Sequence, residues 1–232
     1  MNRIKYVLII LIIGTIYCQN ENIFPVTINE QFPDVTLQSP DGNQVRLADL
    51  TGKNVMLIFP RGKVTPEIWC PICHYQYMEM MMMDENNNIR EQYNMEIFFI
   101  FPYSSDSLQV LLNAFPKSLQ TINTWKYPED EPNINANTRE WMEYAREYFP
   151  HSFEYNSDEF KLKLPVLFDP DRKVSEGLML FREEWGGTTV AQNVPTIFIL
   201  DKEGKVKFKY FSQYTNDRPS AEFIVKYLEN MF

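Results

Sequence analysis

Cysteine and histidine are scarce in this chain: its 232 residues hold three cysteines and two histidines. A zinc centre needs about four ligands, so two cysteines with one histidine fall short, and no metal is expected. Cationic side chains are also few. Lys and Arg number 22 against 31 Asp and Glu, a formal net charge of −9. A chain this acidic is a poor partner for nucleic acid or an anionic membrane surface. Missing too is any apolar run of membrane-spanning length, since the longest, residues 6–13, is too short to cross a bilayer comfortably as a helix.

That run follows Arg3 and Lys5 and precedes Gly14 and Thr15, the charged-then-apolar layout of a secretory signal peptide. Residues 1–18 are therefore read as a signal peptide, 19–31 as a tether and 32–232 as one domain. The expected location is extracytoplasmic, in the periplasm or cell envelope. Cys18 is the candidate for a lipid-bearing first residue, and only its lipidation would tie the chain to a membrane. Tyr17, however, is bulky where a lipobox wants Gly or Ala. Removing the leader takes away Arg3 and Lys5, moves the charge from −9 to −11 and leaves Cys70 and Cys73 alone. A bridge across two intervening residues closes almost no loop, so reactivity explains this pair better than stapling does.

With 44% hydrophobic and 15% aromatic residues, the chain has the material for a sizeable core. Residues 55–75, V-M-L-I-F-P-R-G-K-V-T-P-E-I-W-C-P-I-C-H-Y, organise it. They start as a buried strand, pass through a loop punctuated by Pro and Gly, and deliver W-C-P-I-C at the start of a helix. Exposed N–H groups and the positive end of a helix stabilise a thiolate on the first sulfur, and the second lies one turn on. Cys70 is the expected nucleophile and Cys73 the resolving thiol. Pro71 suits the first helical position, where its missing N–H costs nothing. Pro71 and Ile72, between the sulfurs, are expected to tune the pair. Trp69 is expected to shield one side of the sulfur and contact substrate.

The W-C-P-I-C motif, taken with V-P-T at 194–196, the strand-like I-F-I-L-D and the turn K-E-G-K, resembles the thioredoxin fold. More closely, it resembles the exported branch that merges with the AhpC/TSA peroxiredoxin superfamily. The resemblance spans roughly residues 30–232 in element order, and these motifs are its specific part. It implies a cis bond before Pro195, with Val194 and Pro195 packed beside the cysteines so that the backbone grips a substrate chain. It also implies a buried proton-accepting acid. The loop 61–68 is longer than in plain thioredoxin and obscures where that acid would lie; Glu67, the nearest carboxylate, reads as a solvated loop charge.

Three chemistries compete for the motif. Dithiol–disulfide exchange needs no cofactor, but it needs a thiol- or disulfide-bearing client and a redox partner protein that resets the pair. A protonated His74 would favour the thiolate and make the pair more oxidising. A thiol peroxidase would carry P-x-x-x-T/S-x-x-C, yet Glu67 and Lys63 stand three and seven residues before Cys70. Thr65 and Pro60 sit at the wrong spacing. The third, C-x-x-C-H at 70–74, is the attachment pattern of a c-type haem. A copper chaperone of related fold would separate its cysteines by three residues and add a distant His, and His151 is the only other His here. The Met run 80–83 reads as apolar filler rather than a copper site, since consecutive helical residues point in different directions.

The remaining chain alternates strand and helix. A hairpin-like opening spans 32–47, and the strands are 54–60, 95–101 and 165–169. Helices are expected at 73–93, 105–115, 117–125, 138–148, 172–181 and 219–231, a loop at 185–189, and a hairpin over Glu203-Gly204. The fold class is α/β: a thioredoxin-like mixed sheet flanked by helices, with an N-terminal hairpin extension and a helical insertion at about 103–164.

Overall fold

A computed structural model describes residues 24–155 and 160–232. Residues 1–18, read as a signal peptide and including Cys18, and residues 19–23 of the stretch read as a tether lie outside the described residues. Two apolar runs set the centre: β3 (Asn54–Phe59) and β4 (Met95–Phe101) are buried nearly throughout. Strands covered on both faces read as continuous apolar runs, because successive side chains enter opposite cores. Met56 and Ile58 join one core, while Val55, Leu57 and Phe59 join the other. Each such side chain contributes about 2 kcal/mol of burial.

The strand β3 pairs parallel with β4 and antiparallel with β8 (Thr196–Leu200), and β4 pairs parallel with β5 (Val166–Phe168). On one edge β9 (Val206–Phe211) returns along β8 after Gly204, whose φ of +77° suits glycine. On the other, β1 (Thr36–Gln38) and β2 (Gln44–Arg46) form the expected hairpin and add to β5. The order is β2-β1-β5-β4-β3-β8-β9. Helices α1 (Pro71–Asn87), α2 (Ile89–Gln92), α3 (Leu108–Lys126) and α6 (Ala221–Met231) supply side chains to one core. The short helix α5 (Lys173–Gly177) supplies the other. This is the thioredoxin-like mixed sheet that the motifs implied. Among the described residues no helix is long and apolar enough to cross a membrane.

Local details differ from the sequence reading for physical reasons. The helix expected over 73–93 divides at Asn88, which takes a left-handed conformation at φ +48°. The two helices expected around Pro116 are one. Pro116 sits on the exposed side of α3, and the carbonyl its ring leaves without a partner, Leu112 O, accepts the Tyr155 hydroxyl at 3.2 Å. The helix expected at 172–181 stops at Gly177, and the loop expected at 185–189 is the turn of a hairpin between β6 (Phe181–Trp185) and β7 (Thr188–Asn193). Gly186 and Gly187 both take positive φ there, the tight-turn geometry of such hairpins. The stretch read as a tether is held from Phe24 onward, where Phe24 N–H donates to Gly177 O and Asn29 N–H to Val206 O, each at 2.7 Å. In the Met run, Met80 lies in the core, and Met81 and Met83 pack against it.

Gly62 lets the loop after β3 pass under a tyrosine. Its φ is +87°, and a Cβ there would lie 2.4 Å from the Tyr103 hydroxyl oxygen. Gly62→Ala should therefore cost roughly 1–3 kcal/mol, from left-handed strain and a displaced ring. Urea unfolding checks this, and an unchanged midpoint would refute it.

The helix α1 also buries two titratable groups with opposite effects on stability. Burial pushes the Glu79 carboxyl up from 4.5 to about 7, against the Ala221 N–H at 3.4 Å. Burial pushes His74 down from 6.5 to about 4, against hydrogen bonds to Leu111 O and Cys70 O. Glu79 makes the folded state bind more protons than the unfolded one, so its contribution falls as pH rises from about 4.5 to about 7. His74 does the reverse, and its contribution is lost as pH falls from 6.5 towards about 4. Glu79→Gln should unmask the His74 slope, so that stability relative to wild type climbs with pH. At pH 8 the variant should be the more stable protein, by up to about 3 kcal/mol. Denaturant melts at pH 5 and 8 measure this, and a variant less stable than wild type at pH 8 would show that the ionised Glu79 has a partner.

Candidate active site

Past β3 the chain leaves the sheet through Pro60 and Arg61 into a pinned loop. Gly62 O accepts the Cys70 N–H at 2.8 Å, and Val64 N–H donates to Ile68 O at 2.8 Å. The Tyr103 hydroxyl accepts Lys63 N–H at 2.9 Å and donates to Ala191 O at 2.8 Å. These bonds deliver Cys70 to the N-cap of α1, with Pro71 at its first position as the spacing implied. Cys73 N–H returns to Cys70 O at 3.1 Å, closing one turn between the cysteines.

Both cysteines are free thiols, 2% and 3% exposed. Their acidities are driven apart. The Cys73 thiol donating to the Cys70 sulfur holds Cys70 down at about 6 against its burial; the Arg218 guanidinium, the Cys73 N–H and the Arg61 guanidinium add to the lowering. Burial, and the hydrogen bond and charge of Cys70, push Cys73 well above the ordinary thiol range. Cys70 is thus the more acidic of the two and Cys73 the one that keeps its proton.

The cations were not evident from the sequence. Arg61 is 5% exposed and donates from Nε to Gln192 Oε1 at 2.6 Å and from Nη2 to Trp185 O and Thr188 Oγ1 at 3.1 and 2.7 Å. Its guanidinium carbon lies 5.3 Å from the Trp185 ring centroid. Among the described residues it forms no ion pair with a carboxylate. The Arg218 side chain, 7% exposed, donates to Ser212 Oγ, Asp217 O and Thr215 O, and its nearest carboxylate oxygen, on Asp217, is 3.7 Å away. A solvent-exposed arginine and a buried one look alike in sequence, and no motif marks either.

Several expected roles change. His74 is buried, so at neutral pH it is uncharged and cannot be the cation that favours the thiolate. Its Nε2 is 3.1 Å from Leu111 O. Trp69 turns its ring into the core, edge-on to Phe101 and Tyr103 at 5.7 and 5.3 Å between centroids, and its Nε1 has no partner among the described residues. Ile72 shares the cluster of the two cysteines. Glu67 is exposed and accepts the Thr65 hydroxyl at 3.2 Å, which engages Thr65 away from the sulfur.

Val194 and Pro195 reach the same end of the sheet, since Phe59 and Thr196 are paired neighbours in β3 and β8 and Asn193 N–H donates to Arg61 O. No peptide bond among the described residues is cis, so the bond before Pro195 is trans. Val194 N–H goes to Leu180 O and its carbonyl accepts the Thr196 hydroxyl. The residue before β6 and the first residue of β8 thus engage the backbone that was expected to grip a substrate.

The segment between β4 and β5 roofs the pair. Ile122 and Trp125 from α3 join Tyr144 and Ala145 from α4 (Ala136–Tyr148), with Phe149 beyond it, in one cluster with Cys70 and Cys73. The roof is fastened. Lys126 Nζ donates to His151 O at 2.7 Å, Arg146 Nε to Lys126 O at 2.8 Å, and His151 N–H to the Tyr75 hydroxyl at 3.0 Å.

Comparison with known proteins agrees with this geometry. The AhpC/TSA family matches residues 28–209. No curated protein matches the chain. Among solved structures, AhpC of Enterococcus faecalis is 15% identical with a TM-score of 0.54, over 89% of this chain and 92% of its own. The bacterioferritin comigratory protein of Xanthomonas campestris is 13% identical with a TM-score of 0.54, over 90% and 99%. Peroxiredoxin 6 of Arenicola marina is 13% identical with a TM-score of 0.52, over 88% and 73%. At such identities these structures speak for the fold alone, while the family match covers most of the chain. The chain belongs to the AhpC/TSA family, with a thiol-dependent redox function.

Proposed function

We propose that this protein is an extracytoplasmic thiol–disulfide oxidoreductase that exchanges disulfides with client proteins through Cys70 and Cys73. The observation that carries the reading is the opposed acidity of two cysteines one helical turn apart. A thiolate attacks a disulfide, and a thiol held nearby resolves the mixed disulfide. In the reductive direction Cys70 attacks, one client sulfur leaves, and Cys73 loses its proton as it displaces the second. Two electrons pass to the client, and a separate redox partner protein resets the pair. No cofactor enters these steps. Export follows from the leader pattern of residues 1–18.

A thiol peroxidase is the second reading, favoured by the burial of Cys70, since a peroxide is smaller than any peptide. Against it, neither Glu67 nor Lys63 offers the hydroxyl of the peroxidase motif, and Thr65 bonds to Glu67 and Ile68. The haem reading would need His74 turned to an iron, whereas its ring lies between two carbonyls with its centroid 4.2 Å from that of Phe115.

One thiol titration separates the readings. One equivalent of a disulfide substrate should remove two thiols from the reduced protein. Cys70→Ser should abolish the reaction by more than about a hundredfold, and Cys73→Ser should stop at a stable mixed disulfide on Cys70. Thiols lost to hydrogen peroxide but not to a disulfide would overturn the exchange reading in favour of the peroxidase.

A further inference from the structure

Resting on the exchange reading, we infer that the outer edge of β6, centred on Glu183, is a docking strand: an extended, cationic segment of a client protein pairs with it and brings a disulfide to Cys70.

The need for such a strand follows from the site. Cys70 is 2% exposed and offers a client almost no surface, so affinity has to come from contacts made elsewhere. The backbone expected to supply them is already engaged, with Val194 N–H on Leu180 O and Val194 O on the Thr196 hydroxyl. Open backbone lies further out, on the hairpin. β6 pairs with β7 alone, and among the described residues nothing pairs with its other edge.

The register shows which groups that edge presents. Phe181 and Asn193 are partners, yet Asn193 N–H donates to Arg61 O, on the side of β7 away from β6. Phe181 therefore turns its own N–H and C=O away from β7, and strand alternation turns those of Glu183 the same way. The Phe181 carbonyl accepts Arg182 Nη1 at 2.6 Å, which leaves the Phe181 N–H and both groups of Glu183 for a partner. β6 holds no Pro or Lys to blunt this edge. The irregularity of the hairpin falls on β7, where the steps from Gln192 to Thr189 outnumber those from Arg182 to Glu184, so β6 keeps an even spacing.

Charge selects the occupant. Glu183 and Glu184 are exposed, and among the described residues neither forms an ion pair. With a formal net charge of −9, the chain repels a second copy of itself and attracts a segment bearing Lys or Arg. The edge is also within reach of the sulfur. Cys70 N–H bonds Gly62 O, Gly62 bridges to Gln192, and Gln192 pairs with Arg182. Each of these steps is about 5 Å, so a strand added beyond β6 lies at most roughly 20 Å from Cys70, a distance spanned by about six extended residues.

The test compares the rates at which the reduced protein reacts with oxidised glutathione and with an extended Lys-containing peptide. The peptide carries a cysteine in mixed disulfide with glutathione, about six residues from its docking segment. It should react at least about tenfold faster than oxidised glutathione, with the gap narrowing at high salt. N-methylation of its docking backbone should remove most of that gap. Glu183→Pro, which deletes an N–H that faces away from β7, should do the same to the ratio of the two rates. Glu183→Ala keeps the backbone and should lose only the salt-dependent share. A peptide advantage that survives N-methylation overturns the inference, and that result needs no variant to fold. A Glu-containing peptide that reacts as fast as the Lys-containing one overturns it too, as does a dimer in solution that Glu183→Pro dissolves, which would assign the edge to a second copy. Equal rates for peptide and glutathione overturn the docking alone, whereas a protein inert to both disulfides overturns the exchange reading itself.

Discussion

A thiolate held out of water is the constraint on which this structure depends. Removing an unpaired charge from solvent costs several kcal/mol, and the positive end of a helix returns at most about 2 kcal/mol of that. The start of α1 alone is therefore too little for Cys70 at 2% exposure. The balance comes from the Cys73 thiol, one turn away, from Arg61 at the start of the same loop, and from Arg218 near the other end of the chain. Cys73 serves because it is itself kept protonated. The same burial that opposes the anion at one sulfur prevents ionisation at the other, and this produces a donor and an acceptor from identical side chains.

Burial of the pair is in turn the work of the long connection between β4 and β5. It places Ile122, Ala145 and Phe149 over the cysteines, and its returning segment is anchored by Lys126, whose ammonium is tied to His151 O and Ser152 Oγ. A lysine that is 1% exposed as a residue commits its donors to a fixed geometry. The roof is thus fastened by directional bonds as well as apolar contact. It keeps the dielectric around the sulfurs low, which magnifies every charge beside them.

What was legible in the sequence follows from how each signal is encoded. β3 and β4 were readable because a strand buried on both faces has to be apolar throughout, and the cysteine motif was readable because its spacing is its mechanism. The β6–β7 hairpin was not, since F-R-E-E-W leaves charged residues exposed and its alternation is weak; only Gly186-Gly187 marked the turn. Pro116 read as a helix boundary because the residue that rescues its orphaned carbonyl, Tyr155, is far away in sequence. His74 carried a plausible charge in the motif and carries none in the fold, because desolvation is a property of the packed site rather than of the residue.

The unread hairpin and the unread arginines are one omission. Arg61 has five donors, and a buried guanidinium that leaves them unbonded is costly. The groups that accept them, Gln192, Thr188 and Trp185 O, all come from β6 and β7. A carboxylate in their place would neutralise the arginine and remove its effect on Cys70. Neutral acceptors take three of the five donors and leave the charge in force. The hairpin therefore does for Arg61 what the start of α1 does for Cys70: it supplies oriented dipoles to a buried ion while leaving its charge free to act on a neighbour. Val194 follows β7 directly, and Leu180, just before β6, accepts its N–H. The hairpin thus orders both Arg61 and the chain that enters Pro195.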